Sequence, residues 1–128
     1  MRFHDFHLTA YTVSDFGATI VLDLLYDYPE QHREISRIKF SDVAAYHFVH
    51  AGGAVILDIA EIPVGDLING SGDELAEWWR LHGGYIHWRE DRTDYIATLE
   101  EKGYRAWTID SAVGFEGFVV AKAVGDGL

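Results

Sequence analysis

The chain has 128 residues, 48% apolar or aromatic and 24% charged, which is the profile of one globular domain spanning residues 1–128. Its net charge of −11, with histidine neutral, opposes binding to nucleic acid or to an anionic membrane surface. It has no cysteine, which excludes disulfides, thiolate nucleophiles and cysteine-bound zinc.

The first ten residues, MRFHDFHLTA, carry Arg2 and Asp5 and no continuous apolar region, so no signal peptide is expected there. No apolar run approaches the ~20 residues of a membrane span, and a cytoplasmic location is expected. Phe6 to Val13 alternates loosely and ends at the turn signal Ser14-Asp15-Phe16-Gly17. Ala18 to Tyr26 alternates better and puts Ile20, Leu22, Leu24 and Tyr26 on one face. Asp27-Tyr28-Pro29-Glu30 is a turn, and Glu34 to Phe40 is a third strand with Ile38 and Phe40 inward. The second and third strands should form a hairpin in which paired residue numbers sum near 60. Asp23 then faces Arg37, Asp27 faces Arg33 and Leu25 faces Ile35. The basic residues of the third strand thus serve mainly to balance its neighbour, at a few tenths to ~1 kcal/mol per pair.

Ser41 and Asp42 break or bulge the chain before a strand over Val43 to Val49, and Ala51-Gly52-Gly53 reads as the next turn. VILDIAEI (Val55 to Ile62) is rich in β-branched residues and is expected to bury Val55, Leu57 and Ile59, with Pro63 ending it. Ser71 and Glu74 have the spacing of a capping box, predicting a helix with Leu75, Trp78, Trp79 and His82 on one face and Gly83-Gly84 as its stop. A second helix is predicted from about Asp91 to Lys102, with Thr93 as N-cap and Tyr95, Ile96 and Leu99 as its apolar stripe. Arg105 to Val113 and Phe118 to Val124 close the chain as two strands around a Gly114-to-Gly117 turn. The predicted order is β-β-β-β-β-α-α-β-β: an α+β fold, mainly antiparallel sheet, with two helices packed on it.

Residues with chemical potential are scattered. His4 and His7, like His47 and His50, are three apart, so on a strand each pair points to opposite faces. Neither pair chelates one ion without a bend, and no metal site or other cofactor is expected. A cleft assembled across strands from these histidines and a carboxylate is the alternative, enzymatic reading. No serine has a G-x-S-x-G context, no phosphate-binding glycine pattern is present, and no catalytic residue is assigned. The segment WWRLHGGYIHW (Trp78 to Trp88) is dense in aromatics; Trp78 and Trp79 are expected in the core, while Tyr85 and Trp88 form a candidate exposed patch.

The charge distribution is the strongest signal. Phe40 to Trp79 contains no Lys or Arg, and within it Asp58, Glu61, Asp66, Asp73, Glu74 and Glu77 are candidate contacts for a basic protein. A homo-oligomer formed through an edge strand or exposed aromatics is the third possibility.

The spacing of Phe40, Val43, Tyr46 and Phe48, followed by VILDIAEI and by Gly114-Phe115-Glu116-Gly117, resembles small bacterial β-rich domains, some of them toxin-immunity proteins. The resemblance lies in apolar residues rather than functional groups. It implies a bacterial cytosolic protein with a non-enzymatic, inhibitor-like role, and it carries over no functional residue.

Overall fold

A computed structural model describes residues 3–81 and 92–127, and within them the side chains of all but Leu57, Leu75, Trp78, Trp79 and Arg80. The fold is α+β. Its strands are β1 (His7–Ser14), β2 (Thr19–Tyr26), β3 (Glu34–Ile62) and β4 (Arg105–Asp126), and its helices are α1 (Val64–Leu81) and α2 (Arg92–Glu101). The antiparallel sheet has the order β1-β2-β3-β4, with β1 also meeting β3.

The β2–β3 hairpin has the register that alternation and charge predict. Ile20 faces Phe40, Asp23 faces Arg37 and Leu25 faces Ile35, and Arg37 Nε donates to Asp23 Oδ1 at 2.6 Å. Register is well specified here because a one-residue slip would turn Ile20, Leu22, Leu24, Ile38 and Phe40, all buried, toward water.

The predicted third, fourth and fifth strands are one continuous strand, β3, and the last two are likewise one, β4. Ala51-Gly52-Gly53 and Gly114 to Gly117 are therefore not hairpin turns, as the sequence had them. They lie opposite each other: His50 faces Phe115 and Val55 faces Val113, so the two strands bend together without either reversing on itself. Topology requires the bend. β3 is antiparallel to β2 in its first part and antiparallel to β1 at Ala54 and Val55, yet β1 and β2 are antiparallel to each other. Between those contacts β3 must reverse its heading.

Two irregularities accomplish this. At the first, Asp42 has φ +53° and the register shifts between Val43 and Ala45. At the second, Gly52 and Gly114 both have positive φ. Ser111 ties this second corner: its hydroxyl accepts the Phe115 N–H at 3.0 Å, and its single proton serves the carbonyls of Val113, 3.0 Å away, and Phe115. A further shift between Ile56 and Asp58 changes the parity of VILDIAEI. Ile59 is buried as expected, but Ile56 is buried with it and Val55, expected on the same face as Ile59, is only half-buried.

The bent ribbon has an apolar residue on both faces at several levels. Its inner face supplies Val119, Ala121, Ile59 and Ile109 to a core shared with β1 and β2, where Phe40 packs on Trp107 with ring centroids 5.4 Å apart. Its outer face supplies Ala45, Ala106, Phe118 and Val120 to a second core under the helices. That is why FVVA (Phe118 to Ala121) is a continuous apolar run.

α1 starts directly after Pro63, well before the expected cap: Ser71 lies mid-helix, so Ser71 and Glu74 are not a capping box. Gly65, Asn69, Gly70 and Gly72 make the first half a poor helix, at about 1 kcal/mol per glycine. Burial of Val64, Leu67 and Ile68, at roughly 1.5–3 kcal/mol each, outweighs that. Gly72 also has a packing reason: a Cβ there would lie 2.8 Å from Arg92 Cζ, and Arg92 reaches across to Asp73. α2 buries Leu99 and half-buries Tyr95 and Ile96, the predicted stripe, although Thr93 lies inside the helix and not at its cap. Its last turn closes through the Tyr104 N–H to the Leu99 carbonyl at 2.9 Å and the Gly103 N–H to the Glu100 carbonyl at 3.1 Å. His82, Gly83, Gly84, Tyr85 and Trp88 lie outside the described residues, so the exposed aromatic patch expected at Tyr85 and Trp88 does too.

Candidate functional site

The bend in β3 leaves an opening. β1 pairs with β2 from His7 to Ser14, but with β3 only at His7 and Leu8. From Thr9 to Ser14 its second edge has no strand beside it among the described residues. Beyond Ser41, β3 has left β2 and pairs only with β4 until it meets β1 at Ala54. Between these two edges lies a cleft of about 620 Å³, lined by Tyr11 and Val13 from β1, by the 3-10 turn residues Phe16 and Gly17, and by residues 43–48 of β3.

The aromatic lining follows from strand parity. Tyr11 and Val13 face Leu22 and Ile20, and Tyr46 faces Val119, so all three stand on the inner, core-facing side. Between the diverging edges of β1 and β3 that inner side is open to solvent, and Tyr11, Val13 and Tyr46 are all more than a third exposed. Tyr11 meets Phe48, His50 and Phe115 edge-on or tilted, at 5.2, 5.8 and 5.8 Å between ring centroids.

Phe16 has no such structural reason. Asp15, Phe16 and Gly17 have φ values of +54°, +57° and +93° in succession. Asp15 is held there by Thr19, whose hydroxyl donates to Asp15 Oδ2 at 2.7 Å. The Phe16 side chain is fully exposed. A left-handed conformation costs an L-residue about 1–2 kcal/mol, and an exposed ring recovers none of it. Phe16→Gly is therefore expected to leave stability unchanged or raise it by up to about 1 kcal/mol in urea denaturation; a loss above that would mean that the ring supports the fold.

On the outer face a smaller recess, about 150 Å³, runs between α1 and the ribbon. Leu67, Ser71 and Glu74 line it from the helix, and Thr108, Asp110 and Glu116 from β4. His47 lines both openings. Among the described residues neither lining contains a Lys or Arg.

The six acidic candidates have different settings. Arg105 grips Glu61 with two bonds, one of them Nε to Oε2 at 2.9 Å, and Arg92 pairs with Asp73. Two bases from outside the base-free stretch thus neutralise two of its acids. Asp58 is half-buried opposite Asp110, Asp66 and Glu77 are exposed on α1, and Glu74 alone lines the acidic recess. Sequence reasoning missed Asp110 and Glu116, which are far from Glu74 along the chain. It also passed over Tyr11, Phe16 and Tyr46, although an aromatic inside the turn signal Ser14 to Gly17 was visible.

The Glu61 carboxyl is held below its ordinary range, first by the hydrogen bond from Arg105 and then by that residue's charge, with desolvation opposing both. Because the folded value is the lower one, the pair's contribution is present above the unfolded carboxylate range and is lost as pH falls through the folded value. Both side chains are about half exposed, so it amounts to at most about 1 kcal/mol. Glu61→Gln is expected to lower stability at pH 7 and to converge with the parent in urea titrations once the pH has fallen through the folded value, below the ordinary carboxylate range. Equal losses at both pH values would contradict this.

The histidines do not converge. His47 stands with Phe118 on the outer face and His50 with Phe115 on the inner one, His7 stacks on Tyr28 at 5.3 Å, and His4 Nδ1 lies 3.2 Å from Asp5. Among the described residues no three His, Asp or Glu side chains are placed to hold a metal ion. Among the described residues no helix is long and apolar enough to cross a membrane. Comparison with known protein families, characterised proteins and solved structures yields no match.

Proposed function

We propose that this chain is a non-catalytic binding protein for a basic partner protein, with the two recesses that His47 lines as its contact sites. The observation that carries the reading is their lining: aromatic side chains in one, carboxylates in the other, and no Lys or Arg in either among the described residues. Aromatics bury large area with few rotatable bonds, and they anchor binding faces. Carboxylates beside them, on a chain of net charge −11, steer a cationic partner and reject anionic ones. Among basic partners, a toxic enzyme held by its inhibitor fits the resemblance to immunity-type proteins.

The test is capture from extracts of the source organism by the full chain and by a Glu74→Lys, Glu116→Lys variant. The reading requires one protein of high isoelectric point, bound by the parent, eluted as salt rises from about 0.05 to 0.5 M, and lost by the variant. Recovery of no partner, or of one that the variant binds equally, defeats it.

A further inference from the structure

The opening between β1 and β3 has a feature that an ordinary apolar pocket lacks: it is bordered by strand edges. From Thr9 to Ser14 the backbone of β1 is paired, among the described residues, with β2 on one side only. A free strand edge is a row of amide donors and acceptors at strand spacing, and proteins ordinarily guard such edges with charge, proline or a covering element. Here Thr9 to Ser14 carries no charge and no proline. Beyond that edge lie inward-type aromatics, Tyr11 and Tyr46, still partly exposed, and Phe16 stands fully exposed at the rim.

From this we infer that the cleft takes an extended, basic peptide segment of the partner, added as a strand to the free edge of β1. This inference rests on the binding role proposed above and specifies its partner. Strand addition uses main-chain hydrogen bonds for affinity and alternate side chains for specificity. The inward side chains of such a segment enter the aromatic cleft, where Lys or Arg packs over the faces of Phe16, Tyr11 and Tyr46. Charge decides the occupant. Among the described residues the cleft lining has no base, Asp15 and Asp42 stand exposed beside it in the chain, and the whole molecule carries −11. A second copy would bring the same −11 to the contact, whereas a basic strand brings the complement.

The experiment is selection from a random decapeptide library on the full chain, with the Phe16→Ala, Tyr46→Ala variant as counter-selection. Expected are peptides that alternate Lys or Arg with β-formers. As synthetic peptides they should bind the variant about fivefold or more weakly, and lose about tenfold or more when alternate amides are N-methylated, which keeps their charge but removes strand donors. Hydrogen exchange at residues 9–14 should slow on binding. Proline-rich or acidic winners, indifference to N-methylation, or no enrichment over the variant overturns the inference. If protection instead falls on Glu74, Asp110 and Glu116, the strand-addition site is wrong while the basic-partner reading survives. If the peptide-free chain sediments as a dimer with residues 9–14 protected, the edge belongs to a second copy and the inference fails.

Discussion

Gly114→Ala is expected to lower the free energy of unfolding by about 3 kcal/mol or more, read as a drop in urea midpoint at unchanged slope. Gly114 has φ +80°, and a Cβ placed on it would lie 1.9 Å from the Gly53 carbonyl oxygen and 3.0 Å from the Gly53 carbonyl carbon. Left-handed geometry alone costs an L-residue about 1–2 kcal/mol. The contact adds more, because no real Cβ approaches an oxygen that closely and the obstructing atom is backbone, unable to rotate away. Relief requires moving β3 against β4 at the corner where β3 turns back to reach β1. The control is Gly17→Ala, where φ is +93° but nothing lies within 4 Å, and about 1–2 kcal/mol is expected. Equal costs at the two sites would mean that the corner yields and that β3 is not pinned there. Ser111, which bonds to the backbone of the same corner, explains why the bend stays local.

Trp107→Ala is expected to cost about 3–5 kcal/mol, a large share of the 5–15 kcal/mol that holds a domain of this size. Trp107 is 2% exposed and packs against Phe40 at the centre of the inner core. Its removal opens a cavity that Ile59 and Ile109, on strands paired to each other, cannot fill without breaking register. The Arg105 guanidinium carbon, 5.1 Å from the Trp107 ring centroid, also loses its aromatic platform, so the Glu61 pair should loosen in the same variant. Trp107→Phe keeps most of the ring and should cost about 1–2 kcal/mol. If Trp107→Ala shifts the urea midpoint by less than about 1 kcal/mol, the inner core is not centred on this residue.

These two positions mark the boundary of what could be read from the chain. Trp107 stands in a strand that alternation identifies, but the aromatic density of Trp78 to Trp88 drew attention away from it. Gly114 was legible as a glycine site, but its glycines read as a reversal when they are a corner. A glycine with positive φ permits either outcome. What selects between them is whether a partner strand continues past it, and for β4 that partner is β3, far away in sequence.

The candidate site divides in the same way. The acidic, base-free stretch is plain in the sequence, and so is the electrostatic argument for a basic partner. Which acids face one another is not, because Arg92 and Arg105 reach Asp73 and Glu61 from elements outside the stretch, while Asp110 and Glu116 join Glu74 from β4. The aromatic cleft was hidden for a different reason. Tyr11 and Tyr46 carry the pattern of core residues, and they are core-facing; they are exposed only because no strand lies beside them.

Composition and charge were enough to establish the α+β class, the β2–β3 register and the acidity. Each of these follows from local alternation, from a short connection, or from a sum over residues. Tertiary structure alone decided that β3 bends back to β1 and leaves the edge of β1 open. That outcome depends on pairings between β3 and β4 and between β3 and β1. Such long-range contacts reward the chain only once loop closure has been met, and no local pattern encodes them.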